Sequence, residues 1–347
     1  MIKRALSAGL VLAIFALSIP PVSSCTRAVY KGPGGLVITA RSMDWKDEIP
    51  GNMWLFPRGM ERHGVTGPNT VTWKSKYGSV VTSSFDIASV DGMNEKGLVG
   101  NMLWLAESTY PEFDGSQKGL SVSAWLQYAL DNFATVAEAV EALAPEPFVV
   151  VTDVIPGTEK MTTVHLSLSD ASGDNAIFEY IEGKLVIHHD PSYVVMTNNP
   201  TYEKQLAIME YWKQIGGLAM LPGTNKAADR FVRASFYLEA LPQTTDYRTA
   251  VSSVFSLIRN TSVPLGIASE DQPNISSTRW RTVADQKNLV YYFESTLAPN
   301  VFWVDLKKLD FSEGAQVKKL EVGNFPTHSG ETSALFKETP PFEFVGL

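Results

Sequence analysis

The chain holds one cysteine, Cys25 in Ser23-Ser24-Cys25-Thr26-Arg27, and it stands directly behind a segment built like an export leader. Lys3 and Arg4 give that segment a positive start, Ala5 to Ile19 an apolar middle, and Val22-Ser23-Ser24 small residues before a cut. A membrane-spanning helix takes about 20 apolar residues. This run is shorter, so residues 1–24 read as a removable leader outside the fold. Removing 24 of the 347 residues leaves 323, beginning with a cysteine that carries both a thiol and a free α-amino group. Nucleophile and base then share one residue, and the rest of the chain has to be arranged around it. Val22-Ser23-Ser24-Cys25 also fits a lipoprotein pattern, in which the thiol is lipidated and the amine acylated. Those modifications remove both nucleophile and base, so the two routes exclude each other.

A chain of 323 residues suits one large domain or two small ones. No repeat, low-complexity tract or composition break marks a linker, so 25–347 reads as a single domain. Hydrophobic residues make up 44% and charged residues 19%, as in ordinary globular proteins. No second long apolar run follows, which argues against stable membrane insertion once the leader is gone. The formal charge of −8 becomes −10 with the loss of Lys3 and Arg4. An acidic chain without a Lys/Arg block offers no footing for nucleic acid. Exported proteins commonly pair cysteines as disulfides; a lone one can form no internal bridge and points to a reactive thiol.

Two β-rich runs, 26–30 and 36–41, flank Lys31-Gly32-Pro33-Gly34-Gly35, a hairpin signature. With the turn centred near Pro33, facing residue numbers sum to about 66, which sets Cys25 across from Arg41. Asp44 follows in Arg41-Ser42-Met43-Asp44-Trp45. A continuous strand points 41 and 44 to opposite faces, so for both to reach Cys25 the strand has to end or bulge at Ser42-Met43. A surface ion pair at a strand end is the plain alternative for Arg41 and Asp44. Further strands are expected at 71–73, 80–82, 85–87, 98–105, 149–151, 163–168, 175–180, 185–187 and 193–196, with a turn over 91–97. Helical spacing covers 122–133 and 134–143, with Leu126, Leu130, Val136, Val140 and Leu143 on apolar faces. Helices are also expected at 201–212, 229–238 and 247–257, and strands again at 280–283, 289–293 and 301–304. This order argues for an α+β fold layered around mostly antiparallel sheets.

The thiolate is the reactive form of cysteine and a neighbouring positive charge favours it; Arg41 is the candidate for that charge. An α-amino group has an ordinary pKa of about 7.7–8.0, near what a general base needs at neutral pH. Asp44 is a candidate to hold that amine against the thiol, as the third member of a triad orients its base. Attack on an amide carbonyl builds an oxyanion that needs fixed donors about 3 Å away, and Asn198, at the end of an expected strand, is one such donor.

A leader followed by Cys25, Arg41 and Asp44 resembles the choloylglycine hydrolase family. The resemblance continues through Met93-Asn94-Glu95-Lys96-Gly97-Leu98, Ser121-Val122-Ser123-Ala124-Trp125-Leu126, Thr197-Asn198-Asn199-Pro200-Thr201, Asp229-Arg230-Phe231-Val232-Arg233 and Leu289-Val290-Tyr291-Tyr292-Phe293, nearly the whole mature chain. It implies the N-terminal nucleophile hydrolase fold, a four-layer αββα sandwich with two antiparallel sheets. It also implies Cys25 as nucleophile and base, Arg41 and Asp44 as its supports, Asn198 as oxyanion donor and Arg230, in preference to Arg233, as a further site residue. Where relatives carry Asn or Tyr at a second oxyanion position this chain has Trp104, with Asn101 three residues earlier. That departure and the leader point to the Gram-negative branch of the family.

Trp45, Trp104 and Asn101 are the candidates for the substrate pocket, the two indoles as an aromatic wall for an acyl group; plain core is the alternative for each Trp. Trp54 is a candidate rim. His188-His189-Asp190 invites a metal, but adjacent strand residues point to opposite faces, so it reads as a polar strand exit. With no zinc spacing, phosphate loop or dinucleotide fingerprint, neither metal nor cofactor is expected. Asn260-Thr261-Ser262 and Asn274-Ile275-Ser276 match glycosylation sequons. The expected activity is hydrolysis of a small-molecule linear N-acyl amide, penicillin V first, N-acyl homoserine lactones second and conjugated bile acids third. A lipid-anchored binding protein without activity is the alternative from another class. The resemblance implies a homotetramer, and the leader a periplasmic or secreted location.

Overall fold

The structure is a computed structural model that describes residues 25–155, 157–267, 276–298, 300–324 and 326–347. The leader at 1–24 and the sequon asparagine Asn274 lie outside the described residues. Strands β1 (Thr26–Gly32) and β2 (Leu36–Trp45) form the expected hairpin, closed by a 3-10 turn at Pro33–Gly35. Gly34 and Gly35 take φ of 70° and 75° there, values that only glycine adopts without strain, so the turn centres on Gly34 and not on Pro33. Arg27 therefore faces Arg41 and Thr26 faces Ser42. The register differs by two residues from the expected one, which sets Cys25 level with Met43. Since side chains alternate with a period of two, Arg41 stays on the same face as Cys25, on the diagonal. The expected break at Ser42-Met43 does not occur: β2 runs on to Trp45, and the irregularity falls in its neighbour, between Thr278 and Trp280.

The hairpin is built into a seven-stranded sheet of order β14 (Val195–Thr197), β1, β2, β15 (Ser277–Asp285), β16 (Val290–Ser295), β17 (Val301–Asp305), β19 (Gly330–Glu331). A nine-stranded sheet runs β13 (Lys184–His189), β12 (Asn175–Ile181), β11 (Val164–Ser169), β8 (Val99–Trp104), β7 (Ala88–Asn94), β6 (Ser79–Ser84), β3 (Met53–Phe56), β18 (Lys318–Leu320), β20 (Lys337–Glu338). Two short pairs stand beside them, β4 (Glu61–His63) with β5 (Thr72–Lys74) and β9 (Gly119–Ser121) with β10 (Val149–Val151). Pairing in both large sheets is antiparallel except for β17 with β19.

Helix α1 (Val122–Asn132) packs on β7 and β8, and α2 (Val136–Leu143) on β12. Ser121 and Thr135 cap them through their hydroxyls. Gly92 and Gly100 face each other beneath α1, where a Cβ on Gly100 would come within 2.2 Å of Leu126 Cδ1; glycine is what lets that helix settle onto the sheet. On the other side, α4 (Ala227–Ala240) lies over β1 and β14, α5 (Tyr247–Asn260) over β1, β2 and β15, and α3 (Tyr202–Ile215) against α4. The layers are helix, sheet, sheet, helix, an α+β sandwich.

Three local readings are corrected. Phe85-Asp86-Ile87 is a turn and not a strand, with Phe85 and Asp86 at φ of 54° and 51°; Asp86 secures it by accepting from Asn52 N and Trp54 Nε1. Asp91 to Asn94 belong to β7, and the turn starts at Glu95. Their turn-forming side chains are used internally: Asn94 Nδ2 donates to the carbonyls of Leu130 and Phe133. Trp54 is 3% exposed in β3, a core residue and not a rim.

Candidate active site

Alternation along β1 and β2 divides the site between two faces of one sheet. Odd-numbered residues look toward the second sheet, as Thr39 Oγ1 to Ser169 Oγ at 2.7 Å shows. Even-numbered residues look toward the helices, where Thr26 and Asp44 meet Arg230 of α4. Cys25 is 2% exposed. Its Sγ lies 3.9 Å from Arg41 Nη2, 3.9 Å from Met43 Sδ and 3.9 Å from the Asp44 carbonyl oxygen.

Arg41 is held from three sides. Its Nη2 donates to the Met102 carbonyl at 3.0 Å, its Nη1 lies 3.7 Å from Asp91 Oδ2, and the guanidinium carbon sits 4.4 Å over the Trp280 ring. Burial raises the Asp91 carboxyl's hold on its proton, against which Arg41 and hydrogen bonds from Tyr291 and Asn101 act. The cation beside the thiol is thus fixed by the opposite sheet.

On the helix side, Arg230 Nη1 donates to the Cys25 carbonyl at 2.6 Å, and Nη2 donates to Asn198 Oδ1 at 3.0 Å. The same Asn198 oxygen accepts from Cys25 N, while Asn198 Nδ2 donates to the Trp104 carbonyl at 2.8 Å. Asp44 Oδ2 is 3.8 Å from Arg230 Nη1, and the carboxylate also accepts from Thr278 at 2.5 Å and Ser42 at 3.2 Å. Burial pushes the Asp44 pKa up to about 6 despite Arg230 and the two hydroxyls. Asp44 therefore lies behind the sheet, beside the arginine that donates to the Cys25 carbonyl, and its side chain does not share the thiol's face. Arg233 turns elsewhere, donating to the carbonyls of Pro222 and Thr224.

A cavity of about 140 Å³ opens beside the thiol, walled by Cys25, Arg41, Met43, Trp45 and Trp104 among mostly apolar neighbours. The two indoles stand 5.4 Å apart at 59°. Asn101, expected against substrate, does not line this cavity: it is 1% exposed and its Nδ2 donates to Asp91 at 2.7 Å. His188 Nε2 meets Glu179 at 3.3 Å and His189 Nε2 meets Asp174 at 2.9 Å. Among the described residues no group of three or more His, Cys, Asp or Glu is placed to hold a metal, and no helix is long and apolar enough to cross a membrane.

Met43 and Asp91 are site residues that reading the sequence missed. The hairpin register carried the signal for Met43, since it faces Cys25 once the turn is centred on Gly34. For Asp91 the turn-like string Asp91-Gly92-Met93-Asn94 concealed a strand.

A buried thiol on a fixed cation, next to an apolar cavity and an anchored side-chain amide, can accept an acyl group and stabilise charge on its carbonyl oxygen. Comparison with known proteins agrees with that chemistry. Residues 25–319 match the family described as linear amide C–N hydrolases, choloylglycine hydrolase family. A penicillin V acylase of Pectobacterium atrosepticum is 51% identical, with 99% of each chain covered. The structure of penicillin V acylase from Agrobacterium tumefaciens is similar at a TM-score of 0.88 and 58% identity, over 93% of this chain and 100% of that one. A conjugated bile acid hydrolase from Clostridium perfringens shares the fold, with a TM-score of 0.74 at 22% identity over 88% of this chain and 98% of that one. The chain belongs to the choloylglycine hydrolase family and is an amidohydrolase acting on linear amide C–N bonds.

Proposed function

We propose that residues 1–24 direct export and are removed, and that the new N-terminal Cys25 hydrolyses N-acyl amides of the penicillin V type. The observation that carries this reading is the apolar cavity that ends on Cys25 Sγ, with Arg41 on one side and the Trp45–Trp104 pair on another. Two relatives at 51% and 58% identity bear the name penicillin V acylase, and the family match starts at Cys25, which supports a boundary there. The leader supports a periplasmic or secreted location, and the family resemblance a homotetramer.

In this reading the Cys25 amine takes the thiol proton and Sγ attacks the amide carbonyl carbon, placing the negative charge on its oxygen. Asn198 Nδ2, which has a second hydrogen beyond the one given to Trp104, donates to that oxygen. The C–N bond then breaks, the amine departs with the proton, and a thioester joins the acyl group to Sγ. Water activated by the same amine hydrolyses the thioester to free acid and thiol. Arg230, donating to the Cys25 carbonyl and to Asn198 Oδ1, keeps the two partners in register.

Two measurements test it. The intact mass of the exported protein should equal residues 25–347 with an unmodified Cys25; a lipidated, acylated Cys25 would exclude the mechanism. Cys25→Ala should abolish penicillin V hydrolysis, and turnover at the wild-type rate would overturn the thiol's role. Comparing phenoxyacetyl, long-chain acyl and taurine-conjugated amides then ranks the substrates.

A further inference from the structure

We propose that Lys160 docks a carboxylate on the amine half of the substrate, a role that rests on the acyl-cavity reading above, so that the enzyme prefers amides whose leaving amine is anionic. Between β10 and β11 the described residues are bridged at Val154 and Met161, and Val154, Ile155 and Thr162 contribute to the cavity wall. There the Lys160 carbonyl accepts from Ile155 N at 2.8 Å, which fixes the backbone of the lysine. Its Nζ lies 4.1 Å from the Trp104 ring centroid and 5.6 Å from that of Trp45. The same two indoles form the cavity wall, and Lys160 is half-buried while Trp104 is 8% exposed, so the ammonium rests on the solvent side of the pair.

What that ammonium lacks is an anion. Ring faces attract a cation but give its three N–H donors no lone pair, and Lys160 forms no ion pair among the described residues. The acidic residue in the wall, Asp153, directs Oδ1 to the adjoining backbone, accepting from Val154 N at 2.7 Å. Burial lowers the Lys160 pKa and the nearby Lys46 lowers it further, as expected of a cation without a counter-charge. Lys46 has an acid of its own, with Asp47 Oδ2 at 3.3 Å from its Nζ. An acyl group seated in the apolar cavity, with its carbonyl at Cys25, leaves the amine half to pass the indole pair toward this cation. A carboxylate there gains a charge-assisted hydrogen bond.

The test holds the acyl group constant and varies the amine: penicillin V against its carboxylate methyl ester, with wild type, Lys160→Met and Lys160→Arg. Methionine keeps an apolar stem on the indoles and removes only the charge. The kcat/KM preference for acid over ester should fall about tenfold in Lys160→Met, through KM, and return in Lys160→Arg. For the wild type that preference should also shrink with added salt. The same preference in wild type and Lys160→Met, whatever the absolute rates, overturns the role of Lys160 alone. Wild-type protein that cleaves neither compound overturns the acylase reading and this inference with it.

Discussion

Asp44 lies between Met43, which faces Cys25, and Trp45, which lines the cavity, and yet its carboxylate operates from the helix side of the sheet. Burial pushes its pKa up to about 6 from an ordinary 3.8. The sign matters. A raised carboxylate pKa means the native state takes up a proton as pH falls through about 6, so this group's contribution to stability is present below about 3.8 and is lost as pH rises past 6. Activity runs the other way, because the protonated form no longer offsets the charge of Arg230. The kcat/KM profile should therefore steepen below pH 6, as a second group besides the α-amine takes a proton. Thr278→Val removes a donor to the charged form and should move that steepening to higher pH; a break point that stays in place would detach it from Asp44. That Arg41 comes close to Cys25 was legible in the hairpin pattern, and Arg230 was legible only through the family resemblance. How Asp44 reaches the site was not, since the face of an even-numbered strand residue depends on whether β2 bulges, which its neighbour's irregularity between Thr278 and Trp280 settles.

Between elements, the link that fixes the thiol's cation is β7 reaching across to β2. Asp91 Oδ2 faces Arg41, and Tyr291 of β16 and Asn101 of β8 hold the same carboxylate. Arg41 is 0% exposed, and breaking a buried pair typically costs about 3–5 kcal/mol because one charge is stranded. Asp91→Asn should therefore lower the unfolding free energy by an amount in that range, read as a lower urea midpoint at unchanged m; an unchanged midpoint would mean that Asp91 is already neutral in the native protein. Helices were the easiest elements to read: Leu126, Leu130, Val136 and Leu143 recur at helical spacing on buried faces. The strand ends were harder. Phe85-Asp86-Ile87 has apolar residues at strand spacing but forms a left-handed turn in which Asp86 captures donors from Asn52 and Trp54, 34 and 32 residues away in sequence.

The interior between the two sheets holds several polar pairs, and they account for much of what alternation could not reveal. Thr39 meets Ser169 and Gln286, Arg27 meets Asn175, and Asn101 meets Asp91. The family resemblance sets Asn101 near a second oxyanion position, but here two polar faces satisfy each other. Glu179 of β12 is the clearest case. It accepts from His165 at 2.9 Å and His188 at 3.3 Å, and both its oxygens accept at 3.1 Å from Tyr202 N, the first residue of α3. One carboxylate thereby ties the nine-stranded sheet to the helix layer on the far side of the seven-stranded one, at the positive end of a helix dipole. Burial acts to raise its pKa, but the two histidines and Tyr202 N outweigh it and hold the value at about 2, against an ordinary 4.5. A depressed carboxylate contributes stability above its unfolded pKa, and that contribution disappears as pH falls from about 4.5 toward 2. The shift corresponds to about 3 kcal/mol. Glu179→Gln should therefore unfold at lower urea than wild type at pH 7, with the gap closing between pH 4.5 and 2.5. A gap that stayed constant across that range would show the residue acting through shape alone, and the two layers would owe their registration to apolar packing and not to this buried charge.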